Sequence, residues 1–168
     1  MGERDAQFRD FVADSQRRLV HFAELLVGDR GRAEDLVQEA YVAAYAAWPR
    51  IRNGSPEAYV RRCVMNRRVD WWRRRSSREW PVDQLADRPD DSSTARITQV
   101  DQRLLVFRAL ERLTARERAA VVLRHYVGLT EAETATEMRV AIGTVKSTTA
   151  RAVAKLRDDP ILREEVKP

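Results

Sequence analysis

The sequence predicts an all-α protein of two small helical domains, an N-terminal helix bundle and a C-terminal helix-turn-helix, joined by a flexible linker. Three observations predict this class. The 168 residues hold only six glycines and are rich in Ala, Leu, Arg and Glu, the residues that lose least on entering a helix. Apolar residues recur at threes and fours in both the first 75 and the last 70 or so positions, the period of an amphipathic helix. Between these parts, from 76 to 98, the chain mixes Ser, Asp and Pro with no sustained period, as in "SSREWPVDQLADRPDDSSTA". The boundaries follow: a bundle over 1–77, a linker over 78–98 and a second helical unit over 99–168.

The first helix is expected over about 5–27, where Phe8, Phe11, Val12, Leu19, Phe22, Ala23 and Leu26 share a face. Gly28 and Gly31 in "VGDRGR" break it. A second helix covers about 32–47, with Leu36, Val37, Ala40, Ala44 and Ala47 inward and Pro49 as its stop. After the turn signal Asn53-Gly54, Ser55 caps a third helix with Pro56 at its first position. That helix continues to about Arg75 and buries Val60, Cys63, Val64 and Trp71, so three helices share one core. Beyond the linker, Val100, Leu104, Phe107, Leu110 and Leu113 face inward. Thr114 with Glu117, and Thr130 with Glu133, form two capping boxes. The first opens a helix to about Tyr126. The second opens a short helix to about Met138, which a turn joins to a longer basic helix, making a helix-turn-helix.

Composition narrows the function. The lone Cys63 allows no intramolecular disulfide and no cysteine-based zinc site; His21 and His125 have no metal-ligand or catalytic spacing. No nucleophile–base pair, metal cluster or phosphate-binding glycine loop is present, so an enzyme is not expected, nor any cofactor or metal. No apolar run approaches a membrane span and the N-terminus lacks a signal-peptide core, so a cytoplasmic protein is expected. The formal net charge is +5, but its distribution says more. Residues 61–75 carry seven arginines against Asp70, whereas 79–91 carry five carboxylates against Arg88. A polyanion-binding element followed by a solvated acidic stretch is one reading; ordinary solvated helix surface is the other.

Three helices carry candidate sites. In "VAIGTVKSTTARAVAKL" the face opposite Ile142, Val145, Ala152, Val153 and Leu156 presents Thr144, Ser147, Thr148, Arg151 and Lys155, with no carboxylate before Asp158. Thr144 and the free N–H groups of the first turn suit a phosphate. Arg151 can address a guanine edge, and Lys146 or Lys155 a phosphate. The N-cap falls to Ala141 or Ile142, neither of which has a capping oxygen. The third helix, "EAYVRRCVMNRRVDWWRRR", interleaves Arg61, Arg62, Arg68 and Arg73 with Asn66 and Trp72, a pattern suited to single-stranded nucleic acid. Tyr59 and Trp71 lie nearer its apolar stripe and are read as core. The second helix exposes Asp35, Gln38, Glu39, Val42 and Tyr45, a mixed acidic and apolar stripe of the kind that binds a protein. Each feature alone also has a purely structural explanation: a helical hairpin, a solubilising arginine run, an exposed face.

Taken in order, "AEDLVQEAYVAAYAAWPRIR", "EAYVRRCVMNRRVDWWRRR", "LERLTARERAAVVLRHYVGLTEAETATEM" and "GTVKSTTARAVAKL" resemble the extracytoplasmic-function (ECF) subfamily of bacterial RNA polymerase sigma factors, over about residues 8–157. The resemblance implies a factor that binds core RNA polymerase, directs it to promoters by reading −35 and −10 elements, and promotes DNA melting. It implies that the second helix docks on the β′ clamp helices through Asp35, Gln38, Glu39 and Val42, and that a β-flap contact accompanies the C-terminal domain. It assigns Asn66 to a pocket for a flipped −10 base, with Arg61, Arg62, Arg68, Trp72 and Arg73 around it. It assigns Thr144, Lys146, Ser147, Thr148, Arg151 and Lys155 to the −35 element. The partners implied are core polymerase, promoter DNA both duplex and melted, and a possible anti-sigma factor, with no membrane insertion. The linker would span the promoter elements near the polymerase active-site channel.

This chain departs from the family pattern at Tyr59, where Trp is common, at Ala132 and Thr134–Ala135, where an acidic-Ile-Ala pattern is usual, and at Thr148, which replaces a frequent Arg. The Trp pair and compact length are similar to an actinobacterial branch. The alternative from the residues alone is a stand-alone helix-turn-helix regulator with an N-terminal sensing or dimerisation bundle. It would leave the arginine-rich third helix without a task.

Overall fold

A computed structural model describes residues 2–75, 104–159 and 162, with 68–75 described as helical backbone. The described residues are all-α and form two helical domains without a strand. The N-terminal domain contains α1 (Glu3–Val27), α2 (Arg30–Ile51) and α3 (Pro56–Arg75). In the second, α4 covers 104–111 and precedes α5 (Ala115–Val121), a π-helical turn (Val122–Tyr126), α6 (Glu131–Met138) and α7 (Ile142–Arg157). The linker reading of 78–98, and Val100 with it, lies outside the described residues.

The inward residues of the first two helices are those the period selects. Leu19, Phe22, Ala23 and Leu26 of α1 meet Leu36, Val37, Ala40 and Ala44 of α2, all buried, and Val60 and Val64 of α3 close the bundle at 0 % exposure. Gly28 ends α1 in the left-handed region at φ 77°, and its N–H bonds the Glu24 carbonyl at 2.8 Å. Asp29 then caps α2, its carboxylate accepting from the Arg32 N–H at 2.6 Å. Helix α2 therefore begins before Gly31, which sits in its first turn instead of breaking the chain. Ser55 caps α3 as the Ser-Pro pair predicts, its hydroxyl accepting from the Ala58 N–H at 3.4 Å.

Pro49 does not stop α2; the helix runs through it to Ile51. Proline removes one donor, the one that would have bonded the Tyr45 carbonyl. The Arg4 guanidinium of α1 fills that place, donating to the Tyr45 carbonyl while lying 4.3 Å over the Tyr45 ring. The Tyr45 hydroxyl in turn donates to Asp5 at 2.5 Å. Phe8 and Phe11 pack edge-on against Tyr41 at 6.2 and 5.9 Å, and Ser15 shares a 2.8 Å hydrogen bond with the Tyr41 hydroxyl.

Both capping boxes are present in the second domain. Thr114 accepts from the Glu117 N–H and Glu117 from the Thr114 N–H; Thr130 and Glu133 do the same. The helix opened at Thr114 widens to the π-helical turn before ending near Tyr126, where the Val127 N–H reaches back to the Val122 carbonyl. Arg139, at φ 55°, ends α6.

The two domains bury one continuous core. Leu110, Leu113, Ala119, Val122, Leu123 and Ala152 join the cluster of α1, α2 and α3. Arg118, 3 % exposed, bridges them: its guanidinium donates to the Leu110 carbonyl at 2.8 Å and to the Leu26 carbonyl in the last turn of α1 at 3.1 Å. That last turn holds no basic residue of its own, so Arg118 supplies the positive charge its dipole favours. His21 packs against Tyr126 and Phe107 at 5.1 and 6.5 Å, a structural role across the same boundary. Replacing Arg118 with Met removes the donors to two buried carbonyls and should cost roughly 1–3 kcal/mol. Urea titration of wild type and mutant measures it, and an unchanged midpoint would contradict the bridge.

Candidate nucleic-acid interface

Three surfaces are built on the outward sides of α2, α3 and α7. On α2 the buried stripe leaves Asp35, Gln38, Glu39, Val42 and Tyr45 exposed together. Val42 is 73 % exposed, an apolar side chain left in water beside carboxylates. Glu39 is bound by Arg67 of α3 at 2.6 Å, so the α2 stripe and the α3 surface adjoin through an ion pair. Arg67 was not among the residues singled out from the sequence; only its place in the arginine run hinted at a role.

On α3 the dry face of Val60 and Val64 leaves Asn66 exposed and Arg62 half-buried. Tyr59 and Cys63 are partly buried against the core, as expected, and burial pushes the Cys63 thiol pKa up. Arg61 differs from expectation. It is 8 % exposed and its guanidinium holds both carboxylate oxygens of Glu137 on α6, at 2.7 and 3.3 Å. Placed one residue after Val60, it falls under the C-terminal domain, and in this arrangement it presents nothing to DNA. The side chains of Arg68, Trp71, Trp72 and Arg73 lie outside the described residues.

On α7 the outward stripe is Gly143, Lys146, Ser147, Ala150, Arg151 and Ala154. It begins at an N-terminus with no side-chain cap, as expected at Ala141, and Thr144 is half-buried beside it. Ser147 donates to the Thr144 carbonyl at 3.2 Å, and Lys146 lies 3.5 Å from Glu131. Two assignments change. Thr148 is 1 % exposed, turned with Val145 and Ala152 into the core, and cannot reach a base. Ile142, expected inward, is 47 % exposed as the first residue of α7. Ala150 and Ala154 occupy outward positions that polarity alone did not single out; small side chains there let a helix sit deep in a groove, and an Ala methyl can meet a thymine methyl. Lys155 is half-exposed, and its ammonium bonds Glu117 at 2.8 Å, reinforcing the capping box of α5.

The Sigma-70 region 2 model matches residues 11–78 and the Sigma-70 region 4 model matches 103–156. The RNA polymerase sigma-E factor of Streptomyces coelicolor is 37 % identical over 159 residues, covering 94 % of this chain and 88 % of that protein. The chain belongs to the ECF sigma factors. The ECF RNA polymerase sigma factor SigL of Mycobacterium tuberculosis is 33 % identical over 142 residues, covering 83 % of this chain and 80 % of that protein. The fold matches the sigma factor RpoE of Bartonella quintana, solved with the anti-sigma factor NepR, with a TM-score of 0.74 at 24 % identity over 95 % of this chain and 98 % of that one. This sigma factor is thus a promoter-recognising subunit for RNA polymerase, and the stand-alone regulator is not favoured. Among the described residues no helix is long and apolar enough to cross a membrane.

The hydrogen bond from Lys155 holds the Glu117 carboxyl below its ordinary pKa, with the Thr114 N–H and hydroxyl adding to it. A depressed carboxylate contributes stability above its unfolded-state pKa and loses it as pH falls through the lower native value. Lys155→Met should therefore lower the Tm at neutral pH, and its deficit should shrink as pH falls below the ordinary carboxylate range. Thermal unfolding across that range checks it; a deficit independent of pH would mean that the contact acts by packing alone.

Proposed function

We propose that the sigma factor divides its task among three surfaces, with residues 1–77 as a region 2-like domain, 78–98 as the linker and 99–168 as a region 4-like domain. The exposed Asp35, Gln38, Glu39 and Val42 of α2 bind core polymerase. Arg62 and Asn66 of α3, with Arg68, Trp72 and Arg73 further along it, hold the melted −10 strand. Lys146, Ser147, Arg151 and the first turn of α7 at Thr144 read the −35 duplex. The observation that carries this reading is α3, one helix whose inner residues are fully dry while Asn66 faces water in an arginine-rich stretch. A base pulled from the stack needs a polar edge and nearby cations, and α3 offers both.

The chain catalyses nothing itself in this reading; the polymerase does the chemistry, in the cytoplasm and without a cofactor. An anti-sigma factor is a further partner, supported by the co-crystal of the Bartonella factor with NepR. Lys155 contributes less to phosphate binding than its charge suggests, since Glu117 engages it.

Gln38→Ala with Glu39→Ala should weaken capture by core polymerase with helicity unchanged by circular dichroism, since both side chains face solvent. Wild-type retention would remove α2 from the polymerase contact. Arg151→Ala should relax preference at one −35 base by about 1–3 kcal/mol, whereas Lys146→Ala should weaken binding evenly and lower the salt slope by about one. Competition among holoenzymes on variant promoters separates the two. Asn66→Ala should still form a closed complex but give much less permanganate-reactive open promoter, because unstacking a base costs a few kcal/mol that the pocket must offset. A template already mismatched across the −10 element should rescue it; opening of duplex at the wild-type rate would reduce α3 to scaffold.

A further inference from the structure

The basic residues of the helix-turn-helix are unevenly spread. Between Arg124 and Lys146 the chain carries a single Lys or Arg, Arg139, against Glu131, Glu133 and Glu137. Those three carboxylates all belong to α6, which holds no cation. In a helix-turn-helix the first helix crosses the phosphate backbone while the second enters the major groove. An acidic crossing helix is repelled there, so the cation at the turn decides whether this side of the motif is drawn to DNA. Each α6 carboxylate is already engaged. Lys146 lies 3.5 Å from Glu131, Glu133 closes its capping box with Thr130, and Glu137 is held by Arg61. Arg139 takes part in none of these contacts; it is exposed and, among the described residues, has no ion pair. Its side chain borders the open groove where the turn meets Ile142 at the start of α7.

The backbone is unusual at the same residue. Arg139 is the C-cap of α6 at φ 55° and ψ 50°, and among the described residues it is the only non-glycine with a positive φ. Glycine or asparagine adopts the left-handed conformation at lower cost, because a longer side chain brings its β-carbon against the following carbonyl with no local bond to offset it. The needs of the turn therefore do not select arginine. We infer that Arg139 is a phosphate contact of the −35 duplex, a cation held at the turn that offsets the carboxylates of α6. The inference rests on the assignment of α7 to the −35 element. Over residues 139–152 Lys146 shares its charge with Glu131, which leaves Arg139 and Arg151 to meet DNA at full charge. Arg139 does so at a phosphate, where a guanidinium can bind two oxygens in parallel, and Arg151 at a base. A phosphate contact serves every promoter alike, since it touches no base edge.

The test compares Arg139→Gly, Arg139→Gln and Arg139→Lys in the full chain assembled with core polymerase, on a duplex promoter fragment that the wild-type holoenzyme selects. Arg139→Gly relieves the backbone and should raise the Tm of the free chain by about 1–3 °C. It should nevertheless weaken the closed complex on the order of three- to tenfold and lower the salt slope by about one. Arg139→Gln keeps the stem and the strained backbone without the charge, and should lose as much. Arg139→Lys keeps the charge and should keep the slope. The loss should be equal on every −35 variant, whereas Arg151→Ala loses at one base. A wild-type slope in Arg139→Gln overturns the inference. So does a slope lost equally in Arg139→Lys, which would make the role one of shape. If Arg151→Ala also binds every −35 variant like wild type, the assignment of α7 to the −35 element falls, and the inference with it.

Discussion

A buried guanidinium must find acceptors, and Arg118 finds them on both sides of the domain boundary. Its bonds to the Leu110 and Leu26 carbonyls fix the end of α1 against the start of α5, and the continuous core packs around that joint. Val122 and Leu123 are buried in that core beside it. Position then follows outward from the joint. Helix α6 comes to lie over α3, and α7 packs on α5 with its cationic side left to solvent.

The three exposed faces keep their chemistry apart because each helix is amphipathic in its own register. On α2 the acidic and apolar stripe is opposed by small buried alanines, which bring α1 and α3 close and leave the outer residues on a stiff support. On α7 the inner residues Val145 and Ala152 are equally small and dry. A recognition surface on a rigid helix loses little entropy on docking, and specificity then depends on which side chains the register turns outward.

Most of this was legible from periodicity and capping. The core stripes of α1 and α2, the two capping boxes and the Ser-Pro start of α3 depend on neighbours within four residues, so sequence spacing contains them. Most of the misjudged positions depend on partners far away. Pro49 reads as a stop because its compensating donor, Arg4, is forty-five positions earlier. Thr148 was grouped with the polar face by its hydroxyl, yet its angular position on α7 lies with Val145 and Ala152. Arg61 was grouped with its arginine neighbours, and only the docking of α6 shows that it is covered. Lys155 and Glu117 are thirty-eight residues apart, beyond any local rule. For Thr148 and Arg61 residue type suggested the solvent side and burial decided otherwise.

The separation of Arg61 from Glu137 along the chain also sets an order of events during synthesis. The two residues are 76 positions apart. Translation at about 5–20 residues per second leaves the first without its partner for about 4–15 s. The contacts that close the N-terminal bundle, including the grip of Arg4 on the turn before Pro49, all lie within the first 64 or so residues and can form in that interval. The first domain can therefore fold, with Arg61 already in place on α3, before the carboxylate that pairs with it has been made.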